Sequence, residues 1–423
     1  MSADADTSAP AHLSGRAALL KVLSHGPYRR LFVTSTTAMA TQWMQRIGLA
    51  WIMWELTHST TWLGLLAMAE LAPGLIFGPI GGVLSDRLPR KKVVLASETV
   101  LCGLSVITGL VVFFSLINPV LLFLLTMAAG TTAALQQSAR SLLLRDVTPK
   151  DCIPTGMSMT AISVNVTRFL GPAIAGPLVI WPGPAVLFWS NAAVALWMIV
   201  TVSGLVIPAS NRSTHSEAFT RQLWEGLKLS TRHQIVTPVL LIFATTAFLV
   251  RPVYELMPAF ADRLFGGDAQ DYSFLIMGVG IGAVVGAIIV TLKAPPHPAM
   301  MFFWSSLAAS LALVAFSATG GMMSATLAAA VLGFFMCISA ATSQLVMILE
   351  ADEAVSGRML SLWGALMRGA PALGALLTGA ILDLWGYRIP LFASGLIAAS
   401  ATVLAIFLFL RASRAQSPVA ENS

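Results

Sequence analysis

The chain has 423 residues, 57% of them hydrophobic and only 10% charged, with a mean hydropathy of +0.80. Soluble domains carry about 25% charged residues, so an ordinary water-soluble enzyme or binding module is excluded. The net charge of +6 does not point to nucleic acid, because the basic residues fall in loops between apolar runs.

A membrane-crossing helix needs about 20 mainly apolar residues. Twelve such runs occur, at 29–56, 61–84, 93–114, 119–143, 153–180, 185–207, 237–262, 271–292, 300–318, 322–348, 357–382 and 388–410. They predict an all-α membrane protein. Residues 1–28 form a polar, Ala/Ser-rich tail whose apolar part is too broken for a signal-peptide core. Arg16 to Leu23 within it reads either as a short amphipathic helix on the membrane or as disorder. Six spans fill 29–207 and six fill 237–410, separated by a polar linker at 208–236, and 411–423 is a second tail. The linker sets Phe219, Leu223, Leu227 and Leu229 among Arg221, Lys228 and Arg232, as in a headgroup-facing helix.

Positive charge marks the cytoplasmic side. With the N-terminus inside, 18 of the 25 Lys and Arg residues are cytoplasmic, and only Arg263 and Arg388 lie outside. Both termini and the linker are therefore expected in the cytoplasm.

Between the second and third spans lies Gly82-Val-Leu-Ser-Asp86-Arg87-Leu-Pro-Arg90-Lys91-Lys92. An Asp at a helix C-terminus faces the negative end of the dipole. Asp86 must find a cation, with Arg87 and Arg90 in reach, or the N-terminus of another helix. Such a cluster suits a gate. Lys91 and Lys92 read as anchors of the cytoplasmic side.

Five basic residues remain inside spans: Arg46, Arg140, Arg168, Arg251 and Arg368, with the acids Glu70, Glu98 and Glu255 in or near spans. A charge at the bilayer centre costs about 2.5–3.5 kcal/mol on insertion scales, so each needs a partner or a wet cavity. Arg46 and Glu70, mid-span on antiparallel neighbours, are expected to pair. Arg251 and Glu255, four residues apart, are expected on one helix face. These four, with Arg168, Arg368, Gln42 and Trp43, are the candidate coupling or substrate residues; the alternative is a permanent ion pair that fixes packing. Arg140 and Glu98 belong with the gate. Trp51, Trp54 and Trp62 read mainly as interfacial belt residues, and Asn191 as a helix-bridging amide. Small residues mark close helix approach: Gly74, Gly78, Gly81 and Gly82 in the second span, Gly171-Pro172-Ala-Ile-Ala-Gly176-Pro177 in the fifth, Gly278, Gly282 and Gly286 in the eighth, and Gly364, Gly369, Gly374 and Gly379 in the eleventh.

No Gly-x-x-x-x-Gly-Lys-Ser/Thr loop is present, so ATP hydrolysis by that route is not expected. The six histidines fall in loops and the three cysteines are scattered, so no metal, cofactor or enzymatic chemistry is expected.

The 82–91 pattern, Gly-x-Leu-x-Asp-Arg-x-x-Arg-Lys, resembles the loop between helices 2 and 3 of the major facilitator superfamily of secondary transporters; Pro89 stands where that family usually has Gly. The run Ala50-Trp51-Ile-Met-Trp-Glu55-Leu-Thr57-His-Ser59 resembles bacterial exporters related to the enterobactin and macrolide efflux carriers. The resemblance covers about residues 28–411. It implies two pseudo-symmetric six-helix bundles working by alternating access around a midplane site. It also implies a monomer that exports an amphipathic small molecule, such as a drug or siderophore, in exchange for protons. The helix pairs 2 with 11 and 5 with 8 are expected between the bundles, and Asp86 is expected near Ser356–Met359. The fifth-span Gly-Pro stretch is similar to the end of the antiporter motif. An importer of a small metabolite on the same fold, or a non-transporting receptor or scaffold, are the alternatives.

Overall fold

The computed structural model describes residues 15–180, 183–206, 228, 235–292, 296–350 and 353–415. The linker reading at 208–236 lies almost wholly outside the described residues. The helices are α1 Gly15–Ser24, α2 Gly26–Thr57, α3 Thr60–Arg87, α4 Arg90–Phe113, α5 Pro119–Asp146, α6 Ile153–Ile180 and α7 Ala185–Ser203. They continue as α8 Val236–Leu249, α9 Val253–Phe265, α10 Ala269–Leu292, α11 Pro298–Ser317, α12 Met322–Leu349, α13 Glu353–Trp385 and α14 Arg388–Ala415. Among the described residues, ten helical segments are long and apolar enough to cross a membrane, counting α8 with α9 as one; α2 and α6 complete the twelve expected spans.

Local chemistry sets the helix ends. Ser59 caps α3 by accepting from the Trp62 amide, and Asn118 caps α5 by accepting from the Leu121 amide at 2.9 Å, ahead of Pro119. His58, at φ 45°, and Gly266, at φ 63°, turn the chain left-handed and end α2 and α9. The seventh span is broken: α8 stops at Leu249 and α9 restarts at Val253. Pro252 is the cause, since it has no N–H to donate and crowds the carbonyl four residues back.

Three apolar cores organise the packing. One joins both bundles at the end where α2 passes into α3, and includes Met53, Trp54, Leu63, Phe188, Leu256, Phe260, Tyr272 and Phe316. At the opposite end each bundle has its own core: Tyr28, Leu31, Val94, Leu143 and Met198 in the first, Phe243, Phe302, Phe303 and Met347 in the second. Among the described residues the bundles thus share an apolar core at one end only. The helix α1 packs Ala18 and Val22 into the first bundle's own core, while Leu19, Leu20 and Leu23 stay exposed. Lys21 pairs with Asp151 and, through that hydrogen bond, holds the Asp151 carboxyl below the usual carboxylate range. This tether holds above that lowered value and is lost as pH falls through it.

The glycines separate into two groups. Gly64 and Gly379 bring α3 and α13 to backbone contact between the bundles, at Ala375 and Thr60 respectively. The eighth-span glycines were expected at that interface too. The helices α6 and α10 do meet between the bundles, as expected, but Gly278, Gly282 and Gly286 face Thr326, Ala330 and Phe334 of α12, within the second bundle. A small-residue stripe reports close approach without naming the neighbour. Gly282→Val overpacks this contact, and we expect destabilisation by about 1–3 kcal/mol, read as a lowered melting midpoint of the purified protein. Gly103→Ala, in open space, should stay within about 0.5 kcal/mol.

Candidate functional site

Three charges meet where α2, α3 and α9 converge. Arg46 Nε lies 3.3 Å from Glu70 Oε2, and its Nη2 donates to Glu255 Oε1 at 2.5 Å. The Trp43 ring, one turn away, receives the same guanidinium at 5.2 Å from its centroid. The expected pair of Arg46 with Glu70 is present. The expected partnership of Arg251 with Glu255 is replaced: Glu255 crosses to the other bundle to meet Arg46. The break at Pro252 is the reason, because Arg251 sits in the turn between α8 and α9 and no longer shares a helix face with Glu255. Arg251 Nη1 reaches Met367 Sδ at 3.1 Å instead.

From this cluster a polar seam runs to the closed end. Trp54 donates to Asp262 Oδ2 at 2.9 Å, and Arg263 lies over the Trp54 ring at 5.6 Å. Trp51 stacks on Tyr272 at 6.0 Å. Trp51 and Trp54 are therefore buried between the bundles and are not interfacial belt residues. Asp383, in the last turn of α13, receives the amides of Thr60 and Thr61 at 2.8 and 2.9 Å. It also accepts the hydroxyls of Ser59, Thr60 and Thr61 at 2.6, 2.7 and 2.7 Å. A carboxylate disfavoured at its own helix's C-terminus has found the positive N-terminus of α3 in the other bundle.

At the other end the loop ties the first bundle together. Arg90 Nη1 donates to both Asp146 oxygens, at 2.7 and 2.6 Å. Lys91 Nζ donates to the carbonyls of Ser203 and Leu205 at 2.7 and 2.8 Å, capping the end of α7. Asp86, expected to meet Arg87, Arg90 or the N-terminus of another helix, pairs with neither arginine. Arg90 opens α4 and takes Asp146, which ends α5 just beyond the fourth span read from sequence. Gly82 is only partly buried, nearest Ser138 of α5, and Arg87 is exposed. Of the expected Asp86 neighbours Ser356–Met359, the side chains of Ser356 to Arg358 lie outside the described residues, and Met359 is buried in the second bundle's own core. Glu98 accepts from Gln136 Nε2 at 2.6 Å, and Arg140 Nη2 donates to the Ser35 carbonyl at 2.9 Å, both within the first bundle. Asn191 bridges helices as expected, donating to Gln45 and Ser105.

Below the triad, towards the separated end, a groove of about 760 Å³ lies between Leu75 of the first bundle and α8 and α13 of the second. Phe248, Leu249, Leu366 and Leu373 line it, and Thr245 is its one polar lining side chain. Gln42 is exposed one turn from Arg46. Arg368 is exposed in mid-helix, its Cδ beside Gly74 of α3. Gly171 packs against Trp43 and the Ala40 carbonyl. The side chain of Arg168, and the surroundings of Pro172 and Gly176, lie outside the described residues. No group of His, Cys, Asp and Glu suited to a metal ion occurs among the described residues.

A family model described as transmembrane secretion effector matches residues 17–423. The enterobactin exporter EntS of Escherichia coli O1:K1 is 26% identical over 368 residues, which cover 85% of this chain and 86% of the relative. The enterobactin exporter EntS of Shigella boydii serotype 18 matches to the same extent, 26% over 368 residues. Among solved structures, a bacterial homologue of the human lysosomal transporter Spinster, inward-facing and unoccupied, superposes with a TM-score of 0.69 at 14% identity, covering 92% of this chain and 98% of that one. The nucleoside transporter NupG gives a TM-score of 0.67 at 13% identity, over 91% of this chain and 98% of that one. With a family match spanning almost the whole sequence and two six-helix bundles closed at one end, the chain belongs to the transmembrane secretion effector family of major facilitator transporters.

Proposed function

We propose that the protein is a proton-coupled exporter of an amphipathic small molecule in the bacterial inner membrane, with both termini cytoplasmic. In that orientation the closed end faces outward, and the groove opens towards the cytoplasm. Enterobactin, which the relatives are named for exporting, is the first substrate to test. The single observation that carries the reading is the Arg46 guanidinium shared between Glu70 of its own bundle and Glu255 of the other.

One base between two acids leaves the cluster one negative charge in excess. A proton brings it to neutrality and removes the attraction that ties α2 to α9. With the acids ionised and the cavity empty, the latch holds the outer end shut. That blocks futile cycling of an unloaded carrier, which an antiporter requires. Protonated on Glu255, the carrier makes the return step unlatched, and the latch forms once that proton leaves to the cytoplasm; substrate that competes for the cluster releases it in the export step. Asp383 on the α3 N-terminus is the second outer tie and breaks with it. Asp86, at the C-terminal end of α3, takes up the corresponding contact with the start of α13 when the inner end closes.

Two measurements test this. Inside-out vesicles carrying the protein should accumulate enterobactin when their interior is acid. Glu70→Gln and Glu255→Gln should each cut that pH-driven accumulation about tenfold or more while equilibrium binding persists. Unchanged pH dependence in both variants contradicts the proton role. Asp383→Asn removes the charge from a set of hydrogen bonds in which a single charged bond contributes about 1.5–3 kcal/mol. A cysteine placed at buried Leu63 should then react roughly tenfold or more faster with a membrane-impermeant thiol reagent applied from outside. An unchanged rate contradicts the outer tie.

A further inference from the structure

We infer that Asn191 is a positioning residue for the Arg46 clasp: it fixes the rotation of α2 and so aims the guanidinium at the second bundle. The inference rests on the clasp proposed above and names the part of the first bundle that the clasp pulls against.

Asn191 lies within α7, one of the membrane-crossing helices. An amide in that setting is costly unless its polar atoms are paired. Its Nδ2 donates to Gln45 Oε1 at 2.6 Å and to Ser105 Oγ at 2.9 Å, which uses both amide hydrogens. Its Oδ1 accepts from the Thr41 hydroxyl at 3.0 Å, the shortest of the three contacts in reach of that hydroxyl. Ser105 adds a longer contact of its own to Gln45, at 3.4 Å. One side chain thus holds two residues of α2 and one of α4.

The two residues of α2 are four positions apart, so they stand in one row along the helix. Gly48 continues that row and meets Leu187, one turn before Asn191 on α7. Gln42 and Arg46 each follow the held residues by one position. They form the next row, about 100° round the helix. Pinning the first row to α7 therefore decides where the second row points.

The clasp needs such an anchor. Glu255 draws Arg46 towards the second bundle, and that pull acts on α2 as a whole. The Trp43 ring that covers the guanidinium is on α2 itself and turns with it. The smooth contact of Gly48 with Leu187 allows close approach but sets no angle. Hydrogen bonds are directional, so the Asn191 set resists a roll that apolar packing tolerates.

The test follows a cysteine at Leu63, buried at the closed end, with Cys102, Cys152 and Cys337 replaced. Its rate with a membrane-impermeant thiol reagent, applied from outside in alkaline buffer, reports how often the outer end opens. Asn191→Leu removes all three bonds. Gln45→Met removes the tie from the α2 side at similar volume, and serves if Asn191→Leu does not fold. Each should raise the rate about threefold or more. In Glu255→Gln, where the clasp is already undone, the rate should start high and neither substitution should change it by more than about twofold. Asp383→Asn, at a separate tie, should still raise it there, which shows that the rate is not at its ceiling. A role confined to packing gives the same increase in both backgrounds, and that result overturns the inference. An unchanged rate for both variants with Glu255 in place, alongside a fast Glu255→Gln, overturns the inference alone. A slow Glu255→Gln overturns the clasp reading, and the inference falls with it.

Discussion

A guanidinium held between two bundles governs this structure. Arg46 lies deep in α2, where an unpaired charge is expensive, and its carboxylate partners belong to different bundles. That arrangement makes one side chain both a packing element of the first bundle and a clasp on the second. It also makes the clasp sensitive to any species that neutralises a carboxylate or competes for the guanidinium. Apolar packing alone lacks this property, because dispersion contacts do not respond to protons.

The surroundings of the clasp follow the same economy of charge. At the closed end, Asp262 and Asp383 are each satisfied by donors from the first bundle: the Trp54 indole in one case, the N-terminus of α3 in the other. At the separated end the strong contacts stay within one bundle, as in the Arg90 pair with Asp146 and the Lys91 cap on α7. The difference in where polar groups find partners, between bundles at one end and within a bundle at the other, matches the division of the apolar cores. Both are consequences of one conformation, and the helices α3 and α13 carry an aspartate near the C-terminal end in each bundle.

Much of this was legible in the sequence. Hydropathy alone gave the twelve spans to within a few residues, since the bilayer imposes a length that no side-chain detail alters. The mid-span charges Arg46, Glu70 and Glu255 were legible because each is costly without a partner. Which partner each takes was not. The Pro252 break redirected Arg251, and Asp146 claimed Arg90 from just beyond a span end. Asp262 and Asp383 read as solvated outer acids because nothing local distinguishes them from loop residues; the signal was there in Ser59, Thr60 and Thr61, a run of donors opening α3 that needs an acceptor. The contacts of Gly278, Gly282 and Gly286 with α12 were equally hidden, because a glycine stripe is silent about the surface it meets.

The most direct test of the clasp is a distance across the closed end. Spin labels on cysteines at Leu116 and Gly320, exposed on opposite bundles, report its width by double electron–electron resonance, with Cys102, Cys152 and Cys337 replaced. As pH falls from about 8 to about 5, a longer distance should grow in. In Glu255→Gln that longer distance should already be present at the higher pH. A distribution that is the same in both proteins and at both pH values contradicts the claim that this ion pair keeps the outer end shut.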